Sequence, residues 1–538
     1  MNFSTIDLTV FAGYILCMMG FGIWISQRKK EGPETTQDYF LASKALPWWA
    51  VGGSLIASNI SAEQFIGMSG SGYVVGIAIA SYELMAALTL IIVAKFFLPI
   101  FLEKGIYTMP QFLEERFDKR VRIGLAIFWV LLFVFVNITS VLYLGGLALT
   151  TIMGVPLMWA VVGLAIYAST FSIFGGLKAV VWTDVIQVVV LIFGGLLASI
   201  LVLNALGGSF FGGLAELYEK APAKFDMILS KSNPEYINLP GISVLIGGMW
   251  IANLYYWGTN QYIIQRALAA KDLKEAQRGT AFAAFMKILL PLIVVIPGIA
   301  AFVLQADIDK PDEAYPWVLN EYVTVGFKGL AFAALIAAVG SSLSSMVNSA
   351  STIFTLDIYR SYFMKGKGQG HLDSHDHDSP ILNDEEETKL VRVGKIAAAL
   401  SLILGIIVAP LLGNLDQAFQ YIQEYTGFIS PGVVAIFLFG LFWKRTSANA
   451  ALIVVILAIP LSAGIKFMFP DFPFMDRMGL CFLILSAIII IASLLDNKEG
   501  ADQKGISINT GLFRTDNVFN IATVVICGIL AVIYALLW

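Results

Sequence analysis

The sequence predicts an all-α protein that crosses a lipid bilayer many times. Asp, Glu, Lys and Arg make up only 13% of its 538 residues, whereas a soluble domain carries about 25% of them. Hydrophobic residues make up 58% of the chain, and the mean hydropathy is +0.79. A chain of this composition cannot cover a surface that faces water. We therefore exclude a cytosolic enzyme, a disulfide-rich secreted scaffold and a nucleic-acid-binding protein.

Fourteen segments have the length of a membrane-crossing helix, which needs about 20 apolar residues. They lie at 4–26, 47–73, 78–102, 123–152, 156–176, 181–206, 241–265, 279–305, 327–360, 391–412, 417–441, 447–470, 478–495 and 518–538. Their number predicts a polytopic membrane protein with 14 transmembrane helices.

The first segment, 4–26, is predicted to be a retained helix and not a signal peptide. No basic residue precedes it, and Arg28, Lys29 and Lys30 follow it, which is the reverse of the signal-peptide order. Cytoplasmic loops collect basic residues. Most of the 34 Lys and Arg residues fall in cytoplasmic loops if the N-terminus is outside. We therefore expect a multi-pass protein of the cell inner membrane with both termini outside.

Two of the predicted cytoplasmic loops have features of their own. Residues 105–122 are expected to contain a short surface helix that Thr108 caps. The second loop, 364–389, is polar and of low complexity, and it contains all three histidines of the chain: His371, His375 and His377. We interpret this second loop as a disordered segment in preference to a metal site.

The second segment is interrupted by polar and small residues. Its middle reads ASNISAEQF over residues 57–65, and polar residues at this depth mark functional sites by default. An unwound stretch there would expose carbonyl oxygens, which are good ligands for a hard cation such as sodium. Tight helix packing through small residues is the alternative, and Glu63 and Gln64 argue against it.

The seventh segment has a similar interruption, with the sequence NLYYWGTNQ over residues 253–261. Two broken helices at matching positions of two halves indicate an inverted-repeat transporter, and these two segments are five apart. An aromatic belt at the membrane surface is the alternative. The Asn and Gln residues argue against that alternative.

The ninth segment carries the cluster AVGSSLSS over residues 338–345. Hydroxyls in a helix can simply bond to their own backbone, so this cluster alone is a weak signal. If it faces the unwound stretch of the second segment, it could form the other half of a sodium shell.

Isolated polar groups lie deep in other segments: Glu83, Asp184, Lys287, Gln420, Gln423 and Glu424. A buried Lys287 needs a partner, and Glu83 is the natural candidate, although the pair could instead serve only to join two helices.

The chain has no GxxxxGK[ST] motif for binding nucleotide phosphates. Energy for transport must then come from an ion gradient or a solute gradient.

Four strings give the chain a family resemblance: SLIASNISAEQFIGMSGSGY, FGGLKAVVWTDVIQ, NLYYWGTNQYIIQR and AFQYIQEYTGFISPG. They resemble the sodium/solute symporter family and, within it, the bacterial branch that transports galactose and glucose. The resemblance implies a leucine-transporter-type fold with five-plus-five inverted repeats. Residues 1–46 would hold an extra N-terminal helix and a cytoplasmic loop, and 447–538 would hold three C-terminal helices. The repeats would span 47–206 and 241–441, with the low-complexity loop inside the second.

The resemblance also implies the residues of two binding sites. The sodium shell would use carbonyl and hydroxyl oxygens of five residues: Ala57, Ile60, Ala338, Ser341 and Ser342. The sugar would be held by Gln64, Glu83, Asn253, Lys287, Gln423 and Tyr256. Tyr256 would also form the inner gate, and the outer gate would consist of Met68, Tyr82 and Phe419. Asp184 would lie near the route by which sodium leaves.

The chain departs from the family's sugar-binding pattern at one position. A serine is expected three residues after Glu83, and Ala86 stands there. One hydroxyl contact with the sugar is lost, so we expect an altered affinity or hexose preference but not a loss of transport.

These observations together predict a secondary active symporter that couples sodium to a galactose- or glucose-like hexose by alternating access. The expected partners are the sugar, the co-transported sodium ion and membrane lipid. We expect no enzymatic activity, no nucleic acid and no obligate protein partner. A sodium symporter of another solute, such as inositol, an amino acid or sialic acid, is the first alternative. A sodium-independent channel or sensor is the second.

Overall fold

The computed structural model describes residues 4–27, 35–364, 384–414, 418–496 and 504–538. This part of the chain is helical and contains no strand, which confirms the all-α prediction for it. Its α-helices are Thr5–Gln27, Thr36–Leu41, Trp48–Asn59, Ser69–Val74, Ser81–Ile92, Leu98–Glu103, Met109–Arg116, Lys119–Leu132, Thr139–Met153, Leu157–Gly207, Phe210–Lys220, Ser243–Ile246, Gly248–Leu254, Gln261–Leu268, Leu273–Val303, Ala314–Tyr322, Phe327–Thr352, Arg360–Phe363, Asp384–Val408, Ala418–Thr426, Ser430–Phe442, Ala448–Met468, Phe474–Leu495 and Asn517–Leu536.

Shorter helical stretches interrupt or extend these α-helices. The π-helical stretches are Glu63–Met68, Val93–Phe97, Phe133–Ile138, Tyr255–Thr259 and Ile353–Tyr359. The 3₁₀ stretches are Ala42–Lys44, Ile77–Ala80, Pro222–Lys224, Pro234–Ile237, Pro311–Glu313, Ala409–Asn414 and Thr510–Phe513. π-Helical turns are frequent at functional sites, and Glu63–Met68 and Tyr255–Thr259 lie in the two segments that the sequence predicts to be broken.

Ten helices in the described residues are long and apolar enough to cross a membrane. The other four predicted spans coincide with interrupted or shorter helices. Segment 47–73 is broken near its middle, and segment 241–265 is broken towards its C-terminal end. Two more predicted spans contain only shorter apolar helices, Leu157–Ile173 and Ser430–Phe442. The count of 14 crossings therefore stays a prediction.

The helical stretch Leu157–Gly207 covers two predicted spans, and a kink at Gly176 divides it into two helices. Gly176 has φ 55° and ψ −159°, which is a conformation that glycine adopts without steric cost. A Cβ atom at this position would lie 2.4 Å from the carbonyl oxygen of Tyr39. The kink thus depends on glycine for both its backbone angles and its contact with the segment before the second span.

The serine helix, Phe327–Thr352, forms the centre of the bundle. Every residue from Ala331 to Thr352 is buried, and the helix packs against Leu157–Gly207. A Cβ atom on Gly340 would lie 2.2 Å from the ring of Tyr167. A hydroxyl on this helix is therefore held among other protein groups, away from the surface of the bundle.

The helix Leu273–Val303, which carries Lys287, approaches the second span closely through glycines. A Cβ atom on Gly52 would lie 2.5 Å from the carbonyl oxygen of Gly279, and one on Gly298 would lie 2.0 Å from that of Ser69. Small residues allow membrane helices to pack backbone against backbone. These contacts, one on each half of the broken second span, fix the position of Lys287 beside the break.

The predicted surface helix in 105–122 is present but shorter than that range. Thr108 accepts a hydrogen bond from the backbone N–H of Gln111 at 3.1 Å, and the helix runs over Met109–Arg116. The next helix begins at once, because Asp118 accepts bonds from the N–H groups of Arg120 and Val121. These bonds and the Arg120 side chain outweigh partial burial and hold the pKa of Asp118 below its ordinary value.

The predicted loop 364–389 is wrong at its C-terminal end, where residues from Asp384 onward are helical. The sequence Glu385–Glu387 supports a helix start there, because acidic side chains stabilise the positive end of a helix dipole. Glu387 also accepts a 2.6 Å hydrogen bond from the backbone N–H of Thr36, which a sequence pattern does not reveal. The three histidines lie outside the described residues.

Candidate functional site

The helical breaks place the predicted polar residues around one cavity of about 580 Å³, including its opening. All six predicted sugar ligands and all three predicted outer-gate residues line it: Gln64, Glu83, Asn253, Lys287, Gln423, Tyr256, Met68, Tyr82 and Phe419. Residues from five separate segments of the sequence thus meet at a single site.

An ion pair between Lys287 and Glu83 crosses this cavity. The two side chains are in direct contact, and the Lys287 ammonium also donates a hydrogen bond to the side-chain carbonyl of Asn59. The ammonium lies 5.0 Å from the ring centroid of Trp257, within range of a cation–π contact. Lys287 and Glu83 are only 1% and 3% exposed, so each charge depends on these partners.

The second span stops being helical where its polar run begins. The α-helix ends at Asn59, and Ile60 is extended, with φ −74° and ψ 109°. The side-chain oxygen of Gln64 accepts bonds from both the backbone N–H and the hydroxyl of Ser61, each at 2.9 Å. Gln64 therefore closes the start of the following π-helical turn while it also lines the cavity.

The seventh span breaks at Asn260, which has extended angles of φ −80° and ψ 122°. Before the break, the amide of Asn253 donates to the carbonyl oxygen of Met249 at 3.1 Å. Tyr256 lies in the π-helical turn, and its hydroxyl accepts bonds from Asn59 at 3.0 Å and from Tyr262 at 2.7 Å. This chain of hydrogen bonds links the predicted inner gate to both broken spans.

The predicted outer gate is apolar and closely packed. The rings of Tyr82 and Phe419 meet edge to face, with centroids 5.2 Å apart, and Met68 is fully buried. A Cβ atom on Gly67 would lie 2.7 Å from the Cβ of Phe419. Glycine at this position thus allows the helix Ala418–Thr426 to approach the second span.

The predicted sodium residues lie on two segments that face each other. Ser342 on the serine helix donates hydrogen bonds to the carbonyl oxygens of Ser58 at 3.0 Å and Ile60 at 3.2 Å. Carbonyls in the last turn of a helix lack partners in that helix, and Ala57 lies in the last turn of Trp48–Asn59. Ala338 is one turn before Ser342 and is fully buried.

Asp184 lies beside this region and joins three segments. One of its carboxylate oxygens accepts from Ser341 at 2.5 Å, and the other accepts from Ser54 at 2.5 Å and Ser58 at 3.2 Å. The guanidinium of Arg266 lies 3.9 Å from the carboxylate. Ser341 therefore belongs both to the predicted sodium shell and to the set of hydroxyls around Asp184.

Sequence reasoning missed several residues of this site. Arg266 follows directly after the predicted span 241–265, yet it is fully buried and donates to Ser345, to Ser54 and to the carbonyl of Tyr262. Asn59 and Trp257 lie inside the quoted polar runs, but nothing in those runs singles them out. The seventh span continues helically to Leu268, which is the reason that Arg266 lies inside the bundle.

The match to a known family agrees with this arrangement. A model of the sodium:solute symporter family matches residues 39–458, which is most of the chain. The chain belongs to the sodium:solute symporter family.

Curated relatives of this symporter are similar over nearly its whole length. It is 53% identical to a sodium/glucose cotransporter of Vibrio parahaemolyticus, across 99% of this chain and 98% of the relative. It is 33% identical to sodium/myo-inositol cotransporter 2 of Mus musculus, across 84% of this chain and 68% of the relative.

Two solved structures share the fold of the symporter. A sodium-coupled sialic acid symporter aligns with a TM-score of 0.77 and 24% identity, covering 92% of this chain and 99% of that one. A transporter of the nucleobase-cation-symport-1 family aligns with a TM-score of 0.57 and 14% identity, covering 87% and 97%. Both likenesses support a leucine-transporter-type fold, and at these identities they are used for the fold alone.

Proposed function

We propose that this protein is a secondary active symporter that couples the inward movement of sodium to that of a galactose- or glucose-like hexose. One observation carries the proposal: one cavity is lined by an ion pair, four side-chain amides and several aromatic rings, and both broken spans contribute residues to it. The 53% identical sodium/glucose cotransporter supports the same function.

The proposed membrane arrangement has 14 transmembrane helices and both termini outside. Residues 47–206 form the first inverted repeat and 241–441 the second, with one helix before them in 1–46 and three after them in 447–538. The two breaks support this arrangement, because they occur at matching positions of the two proposed repeats. The protein lies in the cell inner membrane in contact with lipid.

A hexose fits the cavity because it is an uncharged solute with many hydroxyls. Glu83 and the amide oxygens of Asn253 and Gln423 accept hydrogen bonds from it, and Lys287 and the amide NH2 group of Gln64 donate to it. A buried polar group left without a partner costs about 1–3 kcal/mol, so a solute lacking these hydroxyls binds less well. Tyr256 stacks against the sugar ring and closes the inner side.

Sodium binds between the broken second span and the serine helix. It takes the carbonyls of Ala57, Ile60 and Ala338, and the hydroxyls of Ser341 and Ser342 turn their oxygens towards it. The present Ser342–Ile60 hydrogen bond, at 3.2 Å, supports this placement because an ion can bridge the same two oxygens. Bound sodium orders the break that precedes Gln64, and sugar affinity rises in consequence.

The sodium gradient supplies enough free energy for sugar accumulation. One charge that moves inward releases about 2.3 kcal/mol per 100 mV, and a tenfold sodium gradient adds about 1.4 kcal/mol. Coupling requires that sodium and sugar bind one conformation better than the other. Asp184 lies beside the sodium site and offers a carboxylate on the inward route of the ion.

A second candidate solute is a cyclic polyol, because a sodium/myo-inositol cotransporter is 33% identical to this chain. A polyol offers the same pattern of hydroxyls as a hexose to the amides of the cavity. An anionic solute is disfavoured, since Glu83 would repel it.

Uptake into proteoliposomes tests the proposed function. We expect a sodium gradient to drive accumulation of labelled galactose or glucose, and choline in place of sodium to abolish it. The variant Ser342→Ala should raise the sodium KM by about tenfold, the size of one hydrogen bond to a charge. Competition by myo-inositol distinguishes the two solutes. Uptake that is indifferent to sodium would instead support a channel.

A further inference from the structure

The first turn of helix Phe474–Leu495 touches two segments that carry proposed sugar ligands. This brace helix, as we call Phe474–Leu495, belongs to the C-terminal part of the chain, outside the two proposed repeats. It packs against Ser430–Phe442 and against Gly248–Leu254, which carries Asn253. The brace helix therefore joins the C-terminal part of the chain to the segment that carries Asn253.

The contact with Gly248–Leu254 is made backbone to backbone. A Cβ atom on Gly248 would lie 2.1 Å from the carbonyl oxygen of Met475, so only glycine permits this approach. Asn253 lies five residues further along the same segment. The start of the brace helix thus sets the position of the segment that holds Asn253.

A buried charge makes the contact with helix Ala418–Thr426. Arg477 is 2% exposed, and its guanidinium donates to the carboxylate of Glu424 at 2.7 Å. Lys466 contacts the same carboxylate oxygen at 2.9 Å, although its side chain is 30% exposed. Arg477 also lies 5.3 Å from the ring centroid of Phe428. Glu424 immediately follows Gln423, which lines the cavity.

The residue after Arg477 reaches the cavity itself. Met478 is one of the lining residues, and a Cβ atom on Gly427 would lie 2.8 Å from its sulfur. Ser430 contacts the same sulfur at 3.5 Å. The consecutive residues Arg477 and Met478 therefore both contact the C-terminal end of the helix that carries Gln423 and Phe419, or the residues that follow it.

From these contacts we infer that Arg477 is a positioning residue for sugar recognition, which acts by holding Glu424 and thereby fixing the adjacent Gln423 in the cavity. This inference rests on the proposed function. Charge-assisted hydrogen bonds are the stronger ones in proteins, and this one joins the brace helix to a helix of only nine residues. The C-terminal part of the chain then contributes to sugar affinity and not to sodium binding.

The test compares sugar and sodium kinetics of Arg477→Met, Glu424→Gln and the double variant in proteoliposomes. Each single change should raise the sugar KM about tenfold, the size of one charge-assisted hydrogen bond. Turnover at saturating sugar and the sodium KM should stay at wild-type values. The sugar KM of the double variant should be no higher than that of the more affected single variant, because each single change already removes the Arg477–Glu424 contact. Arg477→Lys should recover part of the affinity.

Glu424→Gln breaks the same contact from the other side while it keeps the shape of the side chain, and unchanged turnover and sodium KM in both single variants exclude a general folding defect. Lys220→Gln serves as the matched control, since Lys220 forms an exposed pair with Glu216 at 2.9 Å and should change neither KM. Wild-type sugar KM in both single variants would overturn the inference, as would parallel losses in sugar and sodium affinity. If the wild-type protein shows no sodium-driven hexose uptake, the proposed function fails first.

Discussion

Among the described residues, the buried ion pairs Lys287–Glu83 and Arg266–Asp184 are built differently. Lys287 and Glu83 touch directly and both line the cavity. Arg266 and Asp184 are 3.9 Å apart and fully buried, and serine hydroxyls fill the space around them. The first pair therefore borders the cavity, whereas protein groups enclose the second pair.

The difference follows from the chemistry of the two cations. A lysine ammonium is a compact charge on a flexible stem, while an arginine presents several donors in a rigid planar fork. Lys287 can therefore exchange a protein acceptor for a sugar hydroxyl without disturbing the backbone. Arg266 uses its fork to join Tyr262 on the seventh span, Ser54 on the second and Ser345 on the serine helix.

The largest expected effect is on stability, from Arg266→Met. Asp184 would keep its charge in a fully buried position without a counter-ion, and breaking a buried pair in this way costs about 3–5 kcal/mol. The free energy of unfolding in detergent, measured by denaturant titration, should fall by that amount. Adding Asp184→Asn should recover part of the loss, because it removes the uncompensated charge.

A stability of Arg266→Met close to that of the wild type would contradict this account of the enclosed pair. Arg120→Met provides the comparison, since Arg120 pairs with Asp118 at 2.7 Å with a side chain that is 58% exposed. Exposed pairs contribute only about 0–1 kcal/mol.

The second effect is on sugar binding, from Lys287→Met. The change removes a donor from the cavity and leaves Glu83 unpaired, so the sugar KM should rise by about 10- to 100-fold, as expected for a hydrogen bond that involves a charge. Stability should fall less than in Arg266→Met, because Glu83 lines a cavity. Uptake at graded sugar concentrations measures the first effect, and the same denaturant titration measures the second.

The double variant Lys287→Met with Glu83→Gln separates loss of the sugar donor from the cost of a lone charge. It should regain stability without regaining sugar affinity. Full recovery of sugar affinity would mean that Lys287 only neutralises Glu83 and does not bind the sugar.

The two ion pairs also differ in whether they could be predicted from the sequence. Lys287 and Glu83 were predicted to pair because each is a charge deep in an apolar run, where an unpaired charge is costly. The breaks in the second and seventh spans were predictable for the same reason, from polar residues within each run. Such signals depend only on neighbours along the chain.

The burial of Arg266 could not be predicted from its neighbours along the chain. It lies near the end of an apolar run, where a cation is usually a loop residue, and its burial depends on segments far away in the sequence. The prediction of a loop at 384–389 was wrong for a related reason, because Glu387 accepts a hydrogen bond from Thr36, which is far away in the sequence. A local pattern does not contain contacts that only the folded bundle creates, and the Arg477–Glu424 pair belongs to this class as well.

The smallest expected effect is on hexose preference, from Ala86→Ser. Ala86 lines the cavity and lies one helical turn after Glu83, so that the two side chains share a face of Ser81–Ile92. In the proposed binding mode, a hydroxyl there would add one hydrogen bond to the sugar beside the ion pair. Such a bond contributes about 1 kcal/mol, or roughly fivefold in affinity.

The effect should appear as a changed ratio of uptake between epimers such as galactose and glucose, because only one orientation of a sugar hydroxyl can face the new group. Ala86→Val tests the opposite direction, since it adds volume without a polar group and should weaken both sugars alike. An unchanged ratio in Ala86→Ser would show that the hydroxyl bonds to its own helix instead, as serine can do with the carbonyl four residues earlier. In that case the proposed site would set the preference through Lys287, Glu83 and the amides, without help from this position.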